Sequence, residues 1–153
     1  MSTRRSWRPV AAWVWGATAL VSAVAAHAVY NPPILMTNGV EYMSGGVSAD
    51  EAQLMQTVEP RWPASFEFAV QGDKSPVAAS SVVVTIRDSS GKAVLSQVAS
   101  GGPILVARLD PGRYEVEATL GGQVLKQQVE VMQGCSSHTV FTWPAGTIVA
   151  AHS

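Results

Sequence analysis

His138 has the widest chemical range of any side chain in this sequence, because an imidazole can serve as general base, general acid or metal ligand. A zinc centre needs three or four converging ligands. Cys135 and His138 supply two, and His152 lies in the terminal stretch, so no metal site is predicted. Ser136 and Ser137 precede His138, but proximity along the chain is not the geometry of a nucleophile, a base and an orienting acid, and the G-x-S-x-G turn is missing. Glu115 and Glu117 fall on one face of an extended segment. A hydrolytic carboxylate pair would need a cleft and unequal environments, so these two are read as a solvated face. No dense D-x-D-x-D loop offers a calcium site. The sequence therefore predicts no catalytic residue, no metal and no cofactor.

The aromatic residues suit binding better. Trp62 sits in Pro60-Arg61-Trp62-Pro63 and Trp143 precedes Pro144, settings in which an indole can be left partly open to anchor a partner or stack on a sugar. The competing assignment is that each plugs an open end of the core, since a small domain needs large side chains there. Tyr42, Arg61, Trp62 and Trp143 are the candidate binding residues. Cys135 is the only cysteine, so no internal disulfide can form, and without an adjacent Lys, Arg or second Cys it is read as a structural thiol.

These residues must be held by strands. Residues 29–47 carry Pro32, Pro33, Gly39, Gly45 and Gly46 without a sustained period and are expected to form an extended lead-in, with Ile34-Leu35-Met36 able to form a short edge strand. Ser48-Ala49-Asp50-Glu51 has the form of a capping box, which predicts a short helix over 49–58 with Ala52, Leu54, Met55 and Val58 on its packed face. Pro60 and Pro63 end it. Beyond Ser65 the period becomes two: Phe66, Phe68 and Val70, then Val82, Val84 and Ile86, then Tyr114, Val116, Ala118 and Leu120, then Leu125, Val129 and Val131 face inward. Asp88-Ser89-Ser90-Gly91, Asp110-Pro111-Gly112 and Gly121-Gly122 reverse the chain between them. The last strand is expected over 138–143. Strands recurring every 8 to 12 residues or so predict a mainly β, antiparallel sandwich rather than a barrel.

The N-terminus carries Arg4, Arg5 and Arg8, an apolar run over 10–26 and the small-residue site Ala26-His27-Ala28, the pattern of a cleaved export signal. The run is weakly hydrophobic for a permanent anchor, so the chain meets a membrane only during export or if the signal is retained. Thr3-Arg4-Arg5-Ser6-Trp7 also fits the start of a twin-arginine signal, and either export route gives a periplasmic or secreted bacterial protein. Removing residues 1–28 takes three of the ten basic residues and none of the eleven acids, leaving a formal charge of −4. The seven remaining cations are scattered singly, which excludes nucleic acid. About 125 residues fit one domain. The expected map is a signal peptide over 1–28, the lead-in and helix over 29–63, the sandwich over 64–143 and a flexible tail over 144–153.

Pro76-Val77 through Asp88 with Gly91-Lys92, followed by Leu109-Asp110-Pro111-Gly112-Arg113-Tyr114-Glu115-Val116, resembles the carboxypeptidase regulatory-like group of transthyretin-type β-sandwiches over about residues 64 to 143. With Tyr42-Met43-Ser44-Gly45-Gly46 and Glu51 ahead of it, the chain is similar to small exported bacterial proteins of unassigned function. The resemblance implies a Greek-key sandwich of the transthyretin or prealbumin type with about seven strands and one short N-terminal helix. It also implies a non-enzymatic module that binds or supports an envelope protein, with a carbohydrate-binding module, for a cell-wall glycan, as the alternative and a small hydrolase around His138 as a third. The chain ends Ala151-His152-Ser153, without the Tyr-Arg-Gly-Ser terminus of the hydroxyisourate hydrolases of this fold. No Lys lies on the first sandwich strand and no Asn follows Asn38, which leaves no isopeptide pair of the collagen-adhesin kind.

Overall fold

A computed structural model describes residues 31–147. The expected signal peptide and most of the C-terminal tail, including His152, lie outside the described residues. Within them the chain runs as two strands, one helix and eight further strands. β1 (Leu35–Thr37) and β2 (Val40–Gly45) precede α1 (Ala49–Val58) and a 3-10 turn (Glu59–Arg61). β3 (Ala64–Val70), β4 (Val77–Ala78), β5 (Val83–Asp88), β6 (Ala93–Ala99), β7 (Ile104–Ala107), β8 (Gly112–Leu120), β9 (Gln123–Val131) and β10 (Ser137–Trp143) follow.

The strands form two sheets. The first has the order β1-β2-β7-β3-β10, with β4 paired to the end of β3, and the second has the order β6-β5-β8-β9. Their inner faces share one core. Phe66, Phe68, Leu105, Phe141 and Trp143 come from the first sheet, and Val84, Ile86, Leu95, Val116, Ala118, Leu120, Val129 and Val131 from the second. The period-two pattern of β5 and β8 produces this directly, because alternate side chains leave a strand on opposite faces. Four aromatic rings run through the centre, with centroids 5.8 Å apart for Phe68 and Phe141 and 6.4 Å apart for Phe141 and Trp143. Such pairs add about 0.5–1.5 kcal/mol each beyond area burial.

Three expectations are corrected. The helix is not N-terminal to the strands: 29–47 is no featureless lead-in, since Asn38 (φ 49°) and Gly39 (φ 78°) adopt the two left-handed conformations of a type I′ turn and fold β1 back on β2. The pairing is not wholly antiparallel, because β10 runs parallel to β3 from Ser137↔Ala64 to Trp143↔Val70. Residues 132–136 carry the chain from the end of β9 to the end of the first sheet at which β3 begins, and hydrophobic alternation does not encode that direction. Among the described residues ten strands are present rather than about seven, the additional ones being short or lying before the helix.

The helix packs on the outer face of the first sheet. Met55 is fully buried there with Met43 of β2, Ile104 and Val106 of β7, and Trp62, with Val58 alongside. Ser48 caps α1 by accepting from the Glu51 amide at 3.2 Å. The return half of the capping box differs from expectation: the Glu51 carboxylate reaches past Ser48 and accepts from the amides of Gly46 at 2.7 Å and Val47 at 3.4 Å, tying the helix to the end of β2. Two cores thus lie on opposite sides of one sheet.

Candidate functional site

The chain around Trp62 is built by the end of the helix. The 3-10 turn closes with the Trp62 amide donating to the Glu59 carbonyl at 3.0 Å, and Pro63 then releases the chain into β3. This geometry turns the indole inward beneath α1, where Trp62 is 6% exposed. Arg108, just past β7, closes over it: its guanidinium carbon lies 4.9 Å from the centre of the Trp62 ring. Two contacts to Glu41 of β2 fix that arginine, the backbone amide to the Glu41 carbonyl at 2.8 Å and Nε to Oε2 at 3.1 Å. At this exposure the ring contact and the ion pair contribute about 1 kcal/mol or less each, and both restrict the guanidinium.

Residues 60–63, 108–111 and 131–136 enclose a groove of about 430 Å³ at one end of the sandwich. Its walls are tied to one another. Ser136 Oγ donates to the Trp62 carbonyl at 2.9 Å, and the Tyr114 hydroxyl donates to the Asp110 carbonyl at 2.6 Å, pinning the loop that carries Asp110 and Pro111. Burial pushes the Tyr114 phenol above its usual pKa, and the carboxylates of Asp110 and Asp88 push the same way. The hydroxyl therefore stays protonated and able to donate through the neutral range.

Of the four candidate binding residues, Arg61 and Trp62 both line this groove. Tyr42 does not: it lies on β2, half-buried against the sandwich core. Trp143 is fully buried at the opposite end of the molecule, where its indole Nε1 donates to the Gln123 carbonyl at 3.0 Å. It is a core residue with no face open to a ligand. Trp62 is also mostly covered, and what the groove presents is Arg108 above it and the exposed Arg61 beside it. Arg108 was legible in the sequence only as one of several scattered cations, because its neighbours Glu41 and Trp62 are remote in the chain.

A second polar cluster sits on the outer face of the first sheet, beyond the end of α1. The parallel register sets His138 beside Ser65, with Oγ and Nδ1 2.8 Å apart. His138 Nδ1 is 3.3 Å from Glu59 Oε1, and Nε2 is 3.5 Å from Glu67 Oε2. Glu59 Oε1 is buried without a hydrogen-bond partner. Serine, imidazole and carboxylate are thus aligned, a juxtaposition that rests on residues 73 positions apart and has no local sequence signal. Its chemistry is constrained by burial: Ser65 is 2% exposed, and β3 is paired with β7 on one side and β10 on the other at this register, so no backbone amide there is left to stabilise an oxyanion. Ser136 lines the same open pocket as Ser65 and His138, but its hydroxyl is spent on the Trp62 carbonyl at 2.9 Å. Among the described residues, no three His, Cys, Asp or Glu side chains are grouped to hold a metal ion.

A scan against family models and a search of curated proteins both return no match.

Proposed function

We propose that this chain is an exported, non-enzymatic binding module of the bacterial envelope that engages a protein partner through the groove formed by residues 60–63, 108–111 and 131–136. The observation that carries this is the meeting of Arg61, Trp62 and a locked Arg108 in one concave site. Concave sites with a few placed polar groups on apolar walls are the usual form of a binding pocket, and arginine beside an aromatic ring is the pairing enriched at the energetic centres of protein interfaces. The N-terminal signal pattern supplies the compartment. Two adjacent hairpins, β5–β6 and β8–β9, with the chain visiting the other sheet through β7 between them, support assigning the sandwich to the transthyretin-type Greek-key group that its sequence resembles.

The carbohydrate alternative draws less support. A sugar-stacking site needs an open aromatic face, whereas the Trp62 ring is capped by Arg108 and Trp143 is in the core. A hydrolase reading has one observation in its favour, the Ser65–His138–Glu67 alignment. The buried hydroxyl and the fully paired strand around it weigh against a reactive serine. A fluorophosphonate probe distinguishes them: the binding module is left unlabelled, and labelling abolished by Ser65→Ala would establish a hydrolase instead.

The direct test is affinity capture of the tagged full chain from its own envelope. A protein partner should co-purify and be lost with Arg61→Glu, an exposed substitution that spares the fold. Capture unaffected by that charge reversal, or no protein captured, contradicts the groove as the binding site.

A further inference from the structure

The charge and shape of the groove specify its ligand more closely. We propose that it binds an acidic peptide segment, with Arg61 and Arg108 as the residues that read its carboxylates; this rests on the protein-binding function proposed above. Residues 29–153 hold seven cations against eleven acids, yet two of the seven cations line this one groove with a single acid, Asp110. Among the described residues, Arg61 makes no ion pair, and its side chain is exposed. Arg108 spends only Nε on Glu41, leaving both terminal nitrogens without a hydrogen bond in the described structure. A guanidinium in this condition is a prepared receptor. The Trp62 ring beneath and Glu41 at one side restrict it, so less side-chain freedom remains to be lost when the free edge takes a carboxylate in the two-pronged geometry that arginine favours.

The remaining walls suit a peptide rather than a free anion. Pro60, Pro63, Pro111 and Met132 flank the cations, and Met132 is 57% exposed, which gives apolar side chains beside an acidic residue something to cover. At about 430 Å³ the groove is also larger than a single carboxylate or phosphate group would fill. A carboxylate carried on a partly apolar chain satisfies both features, whereas a basic segment would meet two guanidiniums with Asp110 as the one carboxylate of the lining.

Selection from a random-peptide phage library against the full chain tests this without knowledge of the natural partner. Enrichment of peptides rich in Asp and Glu and poor in Lys and Arg is expected. Synthetic versions should then bind at least about tenfold more weakly when each acid is replaced by its amide, and a comparable loss should follow Arg61→Gln or Arg108→Gln in the protein. Arg61→Gln touches no internal contact, so a loss in that variant is not a folding defect. Selected peptides that are neutral or basic, acidic peptides indifferent to both arginine substitutions, or no enrichment at all would overturn the proposal. If capture of an envelope partner remains sensitive to Arg61→Glu while the library yields neutral peptides, the acidic specificity fails and the binding site stands. If partner capture and selection both fail, the function falls with it.

Discussion

Arg108 makes two side-chain contacts: its guanidinium lies over the Trp62 ring, and Nε holds Glu41. Tyr114 supports the groove from behind. Tyr114→Phe removes the 2.6 Å bond to the Asp110 carbonyl and leaves that part-buried acceptor to water, so a loss of about 1 kcal/mol in urea unfolding is expected. An unchanged midpoint would show that the loop does not depend on the phenol. Asp88 offers a pH test. Its carboxylate accepts from the Ser90 hydroxyl at 2.6 Å and from the amides of Ser90 and Lys92 at 3.0 Å each, and these bonds, the hydroxyl foremost, hold its pKa below 3.8. A lowered folded-state pKa means the stabilisation is present above the unfolded value and disappears as pH falls through the folded one. Carbon-detected NMR titration should place the Asp88 midpoint below 3.8, and Asp88→Asn should flatten the acid limb of the stability curve. At this scale the sequence was informative where partners are local, as in Asp88-Ser89-Ser90-Gly91. It was silent where they are remote, as for Glu41 with Arg108 and Ser65 with His138.

Among the elements, the strands were readable in proportion to their alternation. β8 obeys the rule throughout, with Tyr114, Val116, Ala118 and Leu120 buried, and Gly121-Gly122 returns the chain so that Leu120 pairs with Gln123. β1 and β2 carried a usable signal in Asn38-Gly39, the dipeptide of a tight hairpin, but the surrounding Pro and Gly residues obscured it. No local pattern announced that β10 would lie parallel to β3. Gly102 marks a close approach of β2 and the chain entering β7: a Cβ there would collide with the Gly45 backbone, which cannot yield as a side-chain tip would. Gly102→Ala is therefore expected to destabilise the first sheet, read as a lowered melting temperature, and an unaltered melt would contradict the approach described. On the helix, Ser48→Ala should cost about 1 kcal/mol through the lost cap to Glu51. Met55→Ala should cost about 2–5 kcal/mol because the thioether is wholly enclosed.

The whole molecule is organised around its first sheet, with the sandwich core on one face and the helix-covered cluster on the other. That arrangement explains why the two tryptophans expected to behave alike do not. Trp143 terminates β10 inside the sandwich core, whereas Trp62 joins the second cluster and brings Arg61 to the opposite end. The groove proposed for recognition lies at the end where β3, β8 and β10 begin, on loops carried by the paired strands. Amide hydrogen exchange of the full chain, measured with and without its co-purified envelope partner, tests this most directly. Slowed exchange concentrated in residues 60–63, 108–111 and 131–136 is predicted; slowing at the β1 edge or around His138, with the groove unchanged, would contradict it.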